Sequence, residues 1–86
     1  MDANKEIKLK QLRFRSGHRG FNEMDQLLKA FCESHLDKLD DALLTQYEQL
    51  LDLPDLDTYS WLIGQAEPPP DAPKDIISYI RKIIAA

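Results

Sequence analysis

The sequence predicts an all-α protein, a small five-helix bundle. Three observations point there. Apolar residues recur at i, i+3, i+4 and i+7 over most of the chain. No segment reads as a strand with a partner to pair with. The prolines and glycines fall between the periodic stretches, where they end helices and shape turns. With 86 residues, one helical domain over 1–86 is expected, with connections short enough for neighbouring helices to pack.

The first element is the least regular. In "EIKLKQLRFR", Ile7, Leu9, Leu12 and Phe14 fit neither a clean helix nor a clean strand. One strand alone would have no partner, so the segment is assigned as a helix over roughly 5–16, ended by Gly17, with residues 1–6 as a flexible N-terminus. Met24, Leu27, Leu28 and Phe31 share one helix face and predict a second helix at 22–35. Leu43, Leu44, Tyr47, Leu50 and Leu51 repeat the pattern within 39–52. Pro54 and Asp55 start a fourth helix that Gly64 stops with a left-handed residue, giving 55–64. The run "QAEPPPDAP" cannot continue a helix, because proline lacks the N–H and restricts the residue before it, so 65–72 is a stiff connector. Asp71 and Pro73 then set up a last helix at 73–84, carrying Ile76, Ile77, Ile80, Ile83 and Ile84.

Composition narrows the functional classes. Hydrophobic residues at 43% and charged residues at 30% fit a folded globular chain and are too apolar for a disordered one. The single cysteine, Cys32, forbids an intramolecular disulfide, which suits a reducing compartment, and reads as a small semi-buried hydrophobe. No apolar run approaches the ~20 residues of a membrane span, and the start has no signal-peptide core, so the expected location is cytoplasmic without membrane insertion. Net charge is −4 but uneven. Residues 1–20 carry six basic groups against two acids, while 21–86 carry five against thirteen. A basic arm on an acidic body invites an anionic partner, or pairing with the body itself.

Catalytic signatures do not emerge. There is no glycine-rich phosphate loop. His18 and His35 lie 17 residues apart on different predicted elements, and no spacing marks a nucleophile with its base. The acidic runs "DKLDD" and "DLPDLD" lack the order of a calcium loop. They sit where helices begin, which capping and the helix dipole explain. The expectation is therefore no enzyme and no metal.

The run "GHRGFNEMD", Gly17 to Asp25, carries more chemistry than a turn requires. Gly17 ends one helix, Gly20 permits a turn, Asn22 or Gly20 caps the next helix, and Glu23 and Asp25 face its positive end. Arg19 has no duty in that scheme, and Phe21 is either a staple onto the helix or an exposed contact. An arginine fork, an aromatic and a carboxylate around a glycine make a recognition patch as readily as a turn.

Arg19-Gly20-Phe21-Asn22-Glu23, followed by Met24 and Asp25, fits an RGxxE motif with its usual following acid. It resembles the succinate dehydrogenase flavinylation (assembly) factor family. The similarity continues through Asp55, Leu56, Trp61 and Leu62 of "DLDTYSWLIG", the proline connector and the last apolar helix, so it covers roughly 7–84. The resemblance implies an assembly factor or chaperone that binds the flavoprotein subunit of succinate dehydrogenase, or fumarate reductase in some bacteria. Such a protein promotes covalent attachment of FAD to a histidine of that subunit. It implies that FAD belongs to the client and is not stably bound here, and that Arg19, Gly20 and Glu23 meet the client, with Phe21 and Asp25 nearby. Family members often carry a second arginine before the motif arginine. This chain has His18, a residue type that serves as a turn residue or as a pH-dependent charge. Trp61, beside Leu62 and Ile63, is expected mainly in helix packing. A monomer is expected. The rival reading is nucleic-acid binding by the basic residues of 5–19 with Phe14. The acidic body and a pI of about 5.0 count against it.

Overall fold

A computed structural model describes residues 3–85. Among them are five α-helices and no strand: α1 Ala3–Ser16, α2 Asn22–His35, α3 Asp41–Leu51, α4 Asp55–Leu62 and α5 Lys74–Ala85, with a short 3-10 turn at Leu36–Lys38. The chain divides into two compact units, one ending at Leu39 and one beginning at Asp40. Residues 3–6, expected as part of a flexible lead, are the first turn of α1; residues 1–2 lie outside the described residues.

In the first unit, α1 is built from strong helix formers. Its buried side is Leu12 and Ser16, with Leu9 half-buried. Ser16 is small enough for close packing. Its Oγ donates to the Leu12 carbonyl at 2.7 Å and accepts from the buried Cys32 Sγ of α2 at 3.3 Å. Gly17 N–H closes α1 on the carbonyls of Arg13 and Phe14. The buried stripe of α2 is Met24, Leu28, Phe31 and Cys32, with Leu27 half-buried. The buried Cys32 agrees with its reading as a small hydrophobe. After α2 the chain tightens into the 3-10 turn, which buries Leu36 while Leu39 is buried just beyond it. Arg13 pairs with Asp37 of that turn at 2.6 Å. Both side chains are well exposed, so the pair adds at most ~1 kcal/mol.

In the second unit, Asp40 caps α3, its Oδ1 accepting from Leu43 N–H at 2.8 Å, as the capping explanation of "DKLDD" requires. Leu44, Tyr47, Leu50 and Leu51 form its buried face. Pro54 is the N-cap of α4, which turns Thr58 and Leu62 inward. Gly64, at φ 81°, ends it in the left-handed conformation expected, and Gln65 N–H returns to the Ser60 carbonyl at 2.8 Å. In α5, Ile76, Ile77 and Ile80 are buried, whereas Ile83 is half-buried and Ile84 is 44% exposed.

Two side chains stabilise this unit in ways local spacing does not announce. Gln46 of α3 caps α5: its Oε1 accepts from Ile76 N–H at 3.0 Å and its Nε2 donates to Asp75 at 3.1 Å. Arg81 of α5 ties down the end of α4 and the start of the connector. Its Nε donates to the Trp61 carbonyl at 2.5 Å and its Nη2 to the Ala66 carbonyl at 3.0 Å, with Glu67 at 3.6 Å. Trp61 itself is half-buried.

Candidate functional site

The turn between α1 and α2 lies wholly in the first unit. Its geometry divides the polar residues of "GHRGFNEMD" into two groups. Phe21, not Asn22 or Gly20, is the N-cap of α2; its backbone is extended at φ −155° and ψ 156°, and no side chain caps the helix from that position. Phenylalanine has no oxygen to offer as a cap, and a different bond fastens the turn to the helix. Asp25 Oδ1 accepts from the Arg19 backbone N–H at 2.6 Å, while Asp25 N–H donates to the Phe21 carbonyl at 3.2 Å. The carboxylate thus stitches the turn to the first turn of α2, where the helix dipole also favours negative charge. Asp25 and Phe21 are half-buried.

Glu23 differs. It is exposed, and its carboxylate has no partner among the described residues. Gly20 is exposed as well, and it lacks a left-handed backbone, since Gly64 is the positive-φ residue among those described. No dihedral angle therefore requires glycine at position 20. Arg19 is half-buried, and its Nη1 donates a long contact to the Arg15 carbonyl at 3.5 Å.

His18 is exposed and packs flat on Phe14, with ring centroids 4.0 Å apart and an interplanar angle of 18°. Its Nδ1 sits 2.6 Å from the Phe14 carbonyl. A carbonyl only accepts, so Nδ1 carries the hydrogen in that bond. Arg19, Gly20 and Phe21 fall on this turn, Glu23 and Asp25 on the first turn of α2, and His18 joins them to α1. Sequence reasoning left Phe14 out of the site, although it is 65% exposed and stacked on His18. The signal was the misfit of Phe14 with the apolar period of α1.

An open hollow of about 340 Å³ in the second unit is lined by Leu62, Ile63, Gly64, Arg81, Ile84 and Ala85. Its one charged lining residue, Arg81, is already committed to two carbonyls and Glu67, so it is poorly placed to hold the diphosphate of a flavin. No helix among the described residues is long and apolar enough to cross a membrane.

Comparison with known proteins gives a consistent picture. The model of a family described as flavinator of succinate dehydrogenase matches residues 10–84. "Succinate dehydrogenase assembly factor 2, mitochondrial" of Meyerozyma guilliermondii is 44% identical over 73 residues, 83% of this chain and 54% of that protein. "FAD assembly factor SdhE" of Acetobacter pasteurianus is 34% identical over 64 residues, 74% of this chain and 59% of that protein. The protein of the same name from Legionella pneumophila strain Paris is 36% identical over 63 residues, 73% of this chain and 78% of that protein. The chain spans about half the length of the mitochondrial relatives it matches.

Proposed function

Because this chain belongs to the flavinator of succinate dehydrogenase family, we propose that it is an assembly factor that binds the flavoprotein subunit of succinate dehydrogenase and promotes covalent attachment of FAD to it. Fumarate reductase is a second client of the same chemistry under this proposal. The observation that carries this reading is the exposed turn. Glu23 is exposed with no partner among the described residues, Gly20 is exposed without a positive φ, and both follow Arg19 within four residues. Arg19 and Glu23 make charge-assisted contacts to the client, and Gly20 lets its backbone come close.

Attachment needs a nucleophilic histidine, an activated flavin and an aligned pocket, and these belong to the client and its cofactor. The chain contributes binding energy. It favours the client conformation in which histidine and flavin are aligned, which lowers the barrier by positioning and population shift. It is not an enzyme in its own right, holds no FAD stably, and acts as a monomer. Its location follows its client, and the names of the fungal relatives place those proteins in mitochondria.

A binding experiment tests the reading. The purified flavoprotein subunit is titrated with wild type, Gly20→Arg and Glu23→Ala. Both substitutions lie at exposed positions, and circular dichroism checks that each variant keeps its helices. Tight binding by wild type and weak binding by both folded variants is expected. Equal binding by all three would reduce the motif to a turn.

A further inference from the structure

α1 leaves two large apolar side chains in solvent, Ile7 at 55% and Phe14 at 65% exposure. Seven residues apart, they stand on one face two turns from each other. Exposed Lys10 stands between them on the same stripe. A single exposed apolar residue is ordinary. Here two are aligned, and one carries a stacked imidazole that joins it to the motif. Neither supports the helix, whose buried side is Leu12 and Ser16.

We infer that Phe14, with His18 stacked on it and Ile7 at the far end, is an apolar anchor that extends the client contact from Arg19, Gly20 and Glu23 along α1. The inference rests on the client reading above and names a second part of that interface. Its occupant is an apolar recess with an acidic rim on the flavoprotein subunit. Charge sets that chemistry: α1 carries five bases against Glu6, and although Arg13 is paired with Asp37, exposed Lys10 stands on the apolar stripe itself. Continuity sets the place. His18 precedes Arg19 directly, and the Arg19 guanidinium reaches back to the Arg15 carbonyl, so a partner seated on the motif lies against Phe14. An aromatic among arginines is also the composition that dominates binding energy in interfaces.

The test uses the full chain and the purified flavoprotein subunit, with affinities measured by calorimetry at low and high salt. Phe14→Ser is expected to weaken binding about 10-fold or more. Phe14→Tyr should stay near wild type, and the helical circular dichroism of both should be unchanged. Ile7→Ser should weaken binding less, and salt should weaken the wild-type complex. If wild type binds and Glu23→Ala weakens it but Phe14→Ser binds like wild type, the anchor is wrong while the client reading stands. If wild type does not bind at all, both fall. A second copy is the competing occupant, since residues 40–86 carry nine acids against three basic groups. Sedimentation of the chain alone decides this. A concentration-dependent dimer that Phe14→Ser abolishes would assign the face to self-association and overturn the proposal.

Discussion

Asp25 and Glu23 sit two residues apart in the same helical turn, carry the same charge, and should fail in opposite ways. Asp25 Oδ1 accepts from the half-buried Arg19 backbone N–H at 2.6 Å. A hydrogen bond to a charged group is worth about 1.5–3 kcal/mol, and a carboxylate at a helix N-terminus adds about 0.3–1 kcal/mol. Partial solvent access lets water satisfy some of what is lost, so Asp25→Ala should cost about 2 kcal/mol. In a domain of this size each kcal/mol moves the melting temperature by roughly 4–8 °C, so a drop of about 8–16 °C is expected. Glu23 has no partner among the described residues and keeps only the dipole contribution. Glu23→Ala should therefore cost less than about 1 kcal/mol and melt close to wild type, yet lose client binding. Thermal melts followed by circular dichroism give the first quantity, and titration of the flavoprotein subunit at a temperature where all variants are folded gives the second. An Asp25→Ala variant as stable as wild type would refute the structural role of that acid. A strongly destabilised Glu23→Ala would refute the division of labour.

Three further outcomes follow from the second unit. Gln46→Ala removes the remote cap of α5 and should lower stability by about 1 kcal/mol in urea unfolding, whereas Gln46→Glu, which keeps an acceptor but faces Asp75, should recover only part of it. Gly64→Ala should cost about 1–2 kcal/mol from its φ of 81°, although nothing lies within 4 Å of the added Cβ, so the loss would be strain without a clash. Thr58 is fully buried and its hydroxyl has no hydrogen-bond partner among the described residues. Thr58→Val should therefore raise stability by about 1 kcal/mol, read as a higher melting temperature.

The helices were legible because burial follows period: Met24, Leu28 and Phe31 or Ile76, Ile77 and Ile80 fall on one side of a cylinder and are buried there. α1 resisted for a physical reason. At about 100° per residue, Phe14 lies roughly 160° around the helix from Leu12. Its apolar residues thus serve two faces, one packed and one in solvent, and no single period describes both. The cap of α2 was misread because Asn22 is the better capping residue by propensity. The chain places Phe21 there without a side-chain cap, and Asp25 instead ties the Arg19 N–H of the turn to the helix. Gln46 and Arg81 act on residues 15–30 positions away, so no local rule could announce them. At the candidate site, the residues could be named from the motif. Which acid holds the turn and which faces outward depends on where the Arg19 N–H points, and only coordinates give that.

Promotion of flavin attachment by the exposed turn is tested most directly by the rate of covalent FAD incorporation into the purified flavoprotein subunit, read as flavin fluorescence on a denaturing gel, with wild type, Glu23→Ala or no added chain. Fast incorporation is expected with wild type, and a rate with folded Glu23→Ala close to that of the subunit alone. Equal rates in all three would contradict it.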